Sequence, residues 1–184
     1  MGNIVEFRDT ALIQLRQKVA ALDEANADLL AFARGHSGAV AQIHEAALAA
    51  LDAECLDHLI HIVTQEWPVI LGLDAVALAL VSGETAVRAS AGGLQRIDIA
   101  VLEDRVDGPV VIMRGVEAGD PVFGPAAALV RAEALIRLDM PEPLPKGLLA
   151  LGSRQGLGFD GGHGSELLSF LGAVVSRMIA RWLI

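Results

Sequence analysis

Three glycines near the end of the chain have the spacing of a phosphate-binding loop. Gly156, Gly158 and Gly161 form G-x-G-x-x-G between a predicted strand and a predicted helix. In a dinucleotide-binding fold that helix leads to a second parallel strand, and an acidic residue about 20 positions on holds the ribose. Here the final helix runs to Ile184 and no such strand follows it. We therefore expect these glycines to connect a strand to a helix without binding a nucleotide.

Cysteine and histidine recur at intervals of three in a predicted helix. Cys55, His58 and His61 lie near one another at this spacing, as the ligands of a shared metal ion must. Each step of three also drifts around the helix, and no second group of ligands is obvious elsewhere in the sequence. We predict no metal site and no cofactor, with Cys55 in the core and His61 on the polar flank. Nucleophile motifs of the G-x-S-x-G type and P-loops are absent.

Arginines lie on or beside predicted strands around an irregular stretch, residues 92–131. A guanidinium recognises a carboxylate through two parallel hydrogen bonds, so such arginines can line an anion pocket. Glu133 and Arg137 share one strand face with Leu135. The alternative is solvent-exposed cross-strand pairing of these charges. The candidate ligand-binding residues are Arg88, Arg114, Phe123, Arg131, Glu133 and Arg137.

The N-terminal residues 1–36 have the apolar spacing of a coiled coil. Steps of three and four alternate, which places the apolar side chains in a narrow seam on one helix face. Asn26 falls at an a position, where a lone asparagine fixes a parallel, two-stranded register. We predict a homodimer through this helix; the alternative is an amphipathic helix packed on its own domain. The predicted dimer seam is Leu12, Leu15, Val19, Leu22, Asn26 and Leu29.

The other elements follow a predicted helix break at residues 34–38, where two glycines occur. A second helical region extends to about Trp67, and its predicted apolar stripe is His44, Leu48, Leu51, Cys55, Leu59 and Ile62. The period then changes to that of strands. Predicted strands are residues 74–82, 85–91, 109–113, 132–138 and 147–153, with a short helical piece near 99–106 and a last helix from about Ser165. This order predicts an α+β fold with an antiparallel sheet.

Composition excludes several classes of protein. Apolar residues make up 53% of the 184 residues, which is enough for a sizeable core. The net charge is −9 without a dense basic stripe, and aromatics are 4%, so direct nucleic-acid binding is disfavoured. A single cysteine fits a reducing cytoplasm, and no signal peptide is apparent. Arg177 and Arg181 interrupt the most apolar long stretch, so we expect no membrane span.

The run GLLALGSRQGLGFDGGHGSELLSFLGAVVSRMI, with LDAVALAL and EALIRL before it, resembles the bacterial "domain of unknown function 484" family, which is GAF-like. The resemblance implies a GAF-type sheet with helices on one face and a small-molecule pocket on the other, roofed by residues 92–131. Where the family's usual form has Pro-Gly before the last helix, Gly161-Gly162 stands here. The family offers no catalytic residues to carry over. GAF-like reductases use paired cysteines, which one cysteine cannot provide.

Together, the patterns and the resemblance predict a cytoplasmic, dimeric, non-enzymatic sensory or regulatory module. Residues 1–36 are predicted as the coiled-coil helix and residues 37–184 as the GAF-like domain. A small molecule would bind under the 92–131 stretch, and an unidentified protein partner would receive the output. The alternative is a structural protein that mediates protein–protein interaction and binds no ligand.

Overall fold

The computed structural model describes residues 3–155 and 164–183, without the side chains of residues 3–15, 29 and 31–36. The chain divides into two compact units, Met1–Gly38 and Ala39–Ile184. The helices are α1 (Asn3–Leu51), α2 (Leu56–His61), α3 (Trp67–Leu71), α4 (Glu103–Val106) and α5 (Gly164–Leu183). Because α1 includes residues 34–38, the predicted break there is wrong. A glycine weakens a helix by only about 1 kcal/mol, so two glycines do not end a helix of 49 residues.

Six strands form one antiparallel sheet in the second unit. They are β1 (Ala75–Ser82), β2 (Thr85–Ser90), β3 (Gly93–Ile97), β4 (Val111–Gly115), β5 (Ala132–Leu138) and β6 (Lys146–Ser153). Their order across the sheet is β3-β2-β1-β6-β5-β4. The predicted α+β class and antiparallel sheet are confirmed. Only β3 was not predicted, because most of its residues are exposed and show no apolar alternation.

Helices cover one face of the sheet. Val76 and Leu78 of β1 and Leu149 and Leu151 of β6 belong to a core cluster that includes buried residues of α2, α3 and α5. Between α2 and α3, a π-helical turn, Ile62–Glu66, adds Ile62 and Val63 to this core. Alternate strand residues point to the opposite face, where a second cluster lies. The two clusters show that the sheet is buried on both faces.

The buried face of α1 in the second unit differs from the predicted stripe. Ile43, Ala46 and Ala50 are fully buried, whereas Leu48 is 63% exposed and Leu51 is 52% exposed. Small side chains let a helix axis approach its neighbours closely, so the alanine face packs inward although leucine is more apolar. Trp67 fits against this face and donates a hydrogen bond from Nε1 to the carbonyl oxygen of Ala46 at 3.0 Å.

Cys55 lies between α1 and α2 and not in the core. It is exposed and is the N-cap of α2, where its Sγ accepts a hydrogen bond from the His58 backbone N–H at 3.4 Å. The predicted core position of Cys55 is therefore wrong, because α1 ends at Leu51 and the residue no longer continues its face. His61 is exposed as predicted. Across the described residues, no group of three metal-ligating side chains is found, and no helix is long and apolar enough to cross a membrane.

Candidate functional site

Residues 92–131, which we call the excursion, connect the two edges of the sheet. They begin with edge strand β3, continue through a 3₁₀ turn (Ile99–Val101) and α4, and reach the opposite edge strand, β4. A kinked 3₁₀ segment, Pro121–Leu129, then leads to β5. Between the edges, Leu102, Val122 and Phe123 pack in one buried cluster with Ala77 and Ala150 of the central strands. The excursion therefore covers the sheet face that the helices leave open.

A buried carboxylate fixes the end of the excursion to the sheet. Glu133 of β5 is 0% exposed, and its Oε1 accepts a hydrogen bond from Arg114 Nε at 2.8 Å. Its Oε2 accepts a hydrogen bond from the Asp120 backbone N–H at 2.6 Å. Arg114 stands opposite Glu133 on β4. One side chain thus joins two strands to the start of the 3₁₀ segment.

Asp120 extends this network to α4. Its Oδ1 accepts a hydrogen bond from the Val122 backbone N–H at 3.0 Å and so caps the 3₁₀ segment. Its Oδ2 accepts a hydrogen bond from Arg105 Nε at 2.8 Å. Two buried acids therefore face two partly exposed guanidinium groups, and the buried charges are compensated.

Apolar side chains fill the space beneath the middle of the excursion. Val122 and Val130 are 0% exposed, and Phe123 is 3% exposed. A Cβ built on Gly152 of β6 would lie 2.7 Å from Val130 Cγ2 and 3.1 Å from Phe123 Cε1. Gly152 thus makes the room that these two side chains occupy. The expected ligand space is filled at this point by the chain itself.

A partly enclosed cavity of about 200 Å³ remains beside this filled region, where β1 and β2 meet the 3₁₀ segment. Its polar lining comes from Asp74, Arg88, Ser90 and Gln95. The remaining lining is apolar or small: Ala75, Val76, Ala91, Gly92, Phe123, Pro125 and Ala126. We call it the Arg88 cavity. It combines an apolar surface with a few polar groups, as small-molecule sites do.

Arg88 is buried without an acidic partner. It is 6% exposed, and its Nε has no hydrogen-bond partner. Nη2 donates to Gln95 Oε1 on β3, directly across from Arg88 in the sheet register. Nη1 lies 3.5 Å from the carbonyl oxygen of Val122, at the limit of a hydrogen bond. Within the described parts of the chain, no carboxylate forms an ion pair with this guanidinium, in contrast to Arg105 and Arg114.

Asp74 is the carboxylate in the cavity lining, and Arg154 engages both of its oxygens. The Arg154 backbone N–H donates to Oδ2 and Nε donates to Oδ1, each at 2.8 Å. The backbone hydrogen bond, with the side-chain bond and charge of Arg154, lowers the pKa of Asp74 below 3.8, although partial desolvation opposes this. Both oxygens of the Asp74 carboxylate therefore bond to Arg154, and Asp74 does not neutralise Arg88.

The six candidate ligand-binding residues do not form one site. Arg88 and Phe123 share the Arg88 cavity, whereas Arg114 and Glu133 bind each other. Exposed Arg131 donates to the carbonyl oxygens of Ala128 and Val130, both at 2.9 Å. Arg137 donates to Asp139 at 2.7 Å, and this hydrogen bond raises the pKa of the guanidinium.

Two larger grooves lie near the turn between β5 and β6. Their volumes are about 360 and 530 Å³, and both are lined by Asp107, Leu144 and Lys146. Lys146 pairs with Asp107, and Arg137, which lines the larger groove, pairs with Asp139. Because these charged groups already have partners, the grooves are weaker candidates for a ligand site than the Arg88 cavity.

Asp120, Arg105 and Gln95 were not predicted as site residues. The position of Gln95 can be predicted from the local sequence. The tight turn at residues 91–92 places β3 opposite β2, and the resulting register pairs Arg88 with Gln95. No local sequence signal predicts the contacts of Asp120. Its partner Glu133 belongs to another element, and the path of the excursion determines how the two meet. The G-x-G-x-x-G loop at 156–161 lies outside the described residues.

Comparison with known proteins identifies the family and confirms the fold. The family described as "Protein of unknown function, DUF484" matches residues 1–184. No curated protein sequence matches the chain significantly. Among solved structures, the far-red absorbing dark state of a protein with bound biliverdin IXa has a TM-score of 0.56 at 11% identity, covering 78% of this chain and 99% of that one.

Two further structures share the fold at low identity. The chromophore-binding domain of an R. palustris bacteriophytochrome has a TM-score of 0.53 at 12% identity, and the alignment covers 77% of this chain and 61% of that one. Free methionine-R-sulfoxide reductase from Neisseria meningitidis, in complex with its substrate, has a TM-score of 0.52 at 18% identity, with 77% and 89% covered. These likenesses show a GAF-like fold, as the sequence predicted.

Replacing Glu133 with glutamine tests whether its carboxylate holds the excursion. Glu133→Gln keeps the side-chain shape but removes the charge and places an amide group where two donors converge. We expect the free energy of unfolding, measured by urea denaturation, to fall by about 1–3 kcal/mol. The matched variant Glu117→Gln changes an exposed acid of the same excursion and should stay within about 0.5 kcal/mol of the wild type. Equal effects of the two substitutions would contradict the proposed link.

The depressed pKa of Asp74 predicts a pH-dependent contribution to stability. A carboxyl group with a lowered folded-state pKa stabilises the protein above its ordinary pKa of 3.8, and this contribution is lost as the pH falls through the folded-state value. Asp74→Asn should therefore reduce the free energy of unfolding near neutral pH, and the difference from wild type should narrow below about pH 4. Exposed Asp28, replaced by Asn, provides the control in the same titration. A difference for Asp74→Asn that is constant with pH would contradict the ion pair with Arg154.

Proposed function

The chain belongs to the DUF484 family, and we propose that it is a non-enzymatic sensory module that binds a small molecule in the Arg88 cavity. One observation carries this proposal: Arg88 is buried beside a partly enclosed cavity, and its Nε has no partner. A buried charged group without compensation is costly to the fold. Proteins commonly retain a destabilising group of this kind where a function needs it.

The structural neighbours support a ligand-binding role for this fold. One holds biliverdin IXa, and another is in complex with its substrate. These ligands belong to those proteins; the likeness here lies in the architecture alone. For this chain, the proposal rests on the Arg88 cavity, with the excursion as the element whose position a ligand would affect through Phe123, Pro125 and Ala126.

The chemistry of the cavity supports binding without catalysis. Ser90 is the hydroxyl group in its lining, and no histidine or cysteine of the described residues stands beside it to act as a base or nucleophile. Cys55 caps α2, whose residues pack on the other face of the sheet. We therefore propose a regulatory role with output through a protein partner, in the reducing cytoplasm that one cysteine fits.

A structural scaffold is the second candidate, and one observation favours it. Val122, Phe123 and Val130 fill the middle of the space beneath the excursion, as a domain without a ligand requires. The two candidates differ in the Arg88 cavity, which a scaffold would not use.

Dimerisation through α1 is the second part of the proposal. In the single chain, Val19 is 51% exposed and Leu22 is 69% exposed, and Asn26 is also exposed. Exposed large apolar residues at seam positions support a helix partner that covers them. The side chains of Leu12, Leu15 and Leu29 lie outside those that the structure describes. A second copy of α1, aligned by Asn26, is the partner that we propose.

Blocking the Arg88 cavity tests the sensory role. We expect at least one compound of a metabolite and nucleotide panel to raise the melting temperature of the wild-type protein in a thermal shift assay. Ala126→Phe places a ring in the cavity lining and should abolish that shift. Ala128→Phe, at an exposed position of the same 3₁₀ segment, should retain it. No shift with any compound, or an equal shift in both variants, would favour the scaffold.

Charge placed in the predicted seam tests the dimer. We expect light scattering to give twice the chain mass for the wild type and the single mass for the double variant Val19→Glu, Leu22→Glu, because four like charges would meet in one seam. The double variant Ala20→Glu, Ala27→Glu adds the same charge at neighbouring positions away from the seam and should remain dimeric. A wild-type protein with monomer mass, or a seam variant that stays dimeric, would contradict the coiled-coil proposal.

A further inference from the structure

We infer that the ligand of the Arg88 cavity is a small monocarboxylate, whose carboxylate group binds the Arg88 guanidinium. This inference rests on the proposed sensory function and adds the chemical class of the ligand. It follows from four properties of the cavity: the unpaired charge, the other polar groups, the volume and the close approach of Gly124.

The charge of Arg88 determines the sign of the ligand. A guanidinium presents five donors in a planar fork and binds carboxylates through two parallel hydrogen bonds. In Arg88, Nε has no acceptor, and Nη1 has only the long contact with the Val122 carbonyl oxygen. Nε is enclosed by the protein, so a carboxylate would pair with the edge formed by Nε and a terminal nitrogen after the guanidinium turns toward the cavity. In the excursion network, Arg114 and Arg105 already use Nε to donate to Glu133 and Asp120.

The remaining polar groups favour one negative charge over two. Asp74 also lines the cavity, and its carboxylate bonds to Arg154. A second negative charge on the ligand would therefore meet a carboxylate instead of a cation. Ser90 offers a hydroxyl group, and Gln95 offers an amide whose oxygen already accepts from Arg88. These neutral groups can donate to a carboxylate without adding charge.

The volume sets the size of the ligand. At about 200 Å³, the cavity is smaller than the range of about 300–1,000 Å³ that is typical of sites for drug-sized molecules. A nucleotide or a tetrapyrrole is too large for it. Ala75, Phe123 and Pro125 supply an apolar surface for a short hydrocarbon body. The cavity therefore fits a carboxylate joined to a small aliphatic or aromatic group.

Gly124 holds the guanidinium in place. It adopts a left-handed conformation at φ +60°, and a Cβ at this position would collide with Nη1, Nη2 and Cζ of Arg88. The absence of a side chain lets the 3₁₀ segment lie directly against the guanidinium, so the segment that covers the cavity also positions the charged group. A carboxylate bound to Arg88 would therefore act directly on the position of the excursion.

The test compares carboxylates with their neutral amides in variants of the full chain. The probes are butyrate and benzoate, each paired with its primary amide, which has nearly the same shape without the charge. Calorimetry and thermal shift at fixed ionic strength are applied to the wild type, Arg88→Met and Arg96→Met. Arg96 is an exposed arginine of β3, adjacent to Gln95, and serves as the matched control. Gly124→Ala is the second variant, because it displaces the guanidinium without removing it.

We expect a carboxylate to bind the wild type and Arg96→Met at least about tenfold more tightly than its amide, since a charge-assisted pair is lost with the amide. Arg88→Met and Gly124→Ala should lose this preference. Without ligand, Arg88→Met should melt at or above the wild-type temperature, because no ion pair is broken. A large fall in this ligand-free melting temperature would assign Arg88 a structural role and overturn the inference.

The remaining outcomes separate the inference from the function on which it rests. Equal binding of amides and carboxylates would overturn the ligand class and leave a sensory module for neutral molecules. A second outcome is that neither carboxylate binds, while another compound raises the melting temperature of the wild type and Ala126→Phe abolishes this rise. That outcome would also overturn the ligand class and leave the sensory function standing. No binding by any compound would overturn both.

Discussion

The buried carboxylate of Glu133 is the constraint on which the sheet face covered by the excursion depends. It accepts hydrogen bonds from Arg114 on β4 and from the Asp120 backbone, and Asp120 in turn caps the 3₁₀ segment and binds Arg105 of α4. A carboxylate desolvated to this degree is tolerated only with such partners. The network sets where the excursion returns to the sheet, and thereby where Phe123 fills the interior and where the Arg88 cavity remains open.

Arg88 differs from the other charged groups on this face because it is buried and no carboxylate of residues 3–155 or 164–183 forms an ion pair with it. Around Glu133 each buried charge meets an opposite one, which stabilises a single arrangement of the excursion. At Arg88 the same sheet face holds a guanidinium between Gln95 and Gly124 with an unpartnered Nε. A ligand that supplies the missing negative charge would stabilise the ligand-bound form, and the energy of that pairing is what a sensor can transmit.

Local patterns predicted the sheet well, because β1, β5 and β6 are buried apolar runs bounded by turns. Patterns failed where packing overrides hydrophobicity: alanines of α1 face the core while Leu48 and Leu51 face outward, and Cys55 caps a helix. The arginines were singled out from their strand positions, but sequence alone could not separate paired Arg114 from unpaired Arg88. That difference depends on Asp120, Glu133 and Gln95, which the excursion and the register of β3 bring to them.

Observation of the Arg88 Nε–H group by NMR reports directly on carboxylate binding at Arg88. Nitrogen-edited NMR resolves the Nε–H resonances of arginines, and comparison with Arg88→Met assigns the Arg88 signal. We predict that a small carboxylate shifts the Arg88 Nε–H resonance saturably to lower field, as expected for a new charge-assisted hydrogen bond, while the Arg96 resonance stays unchanged. An Arg88 resonance that is unaffected by butyrate and benzoate, or that moves together with that of Arg96, would contradict carboxylate binding at Arg88.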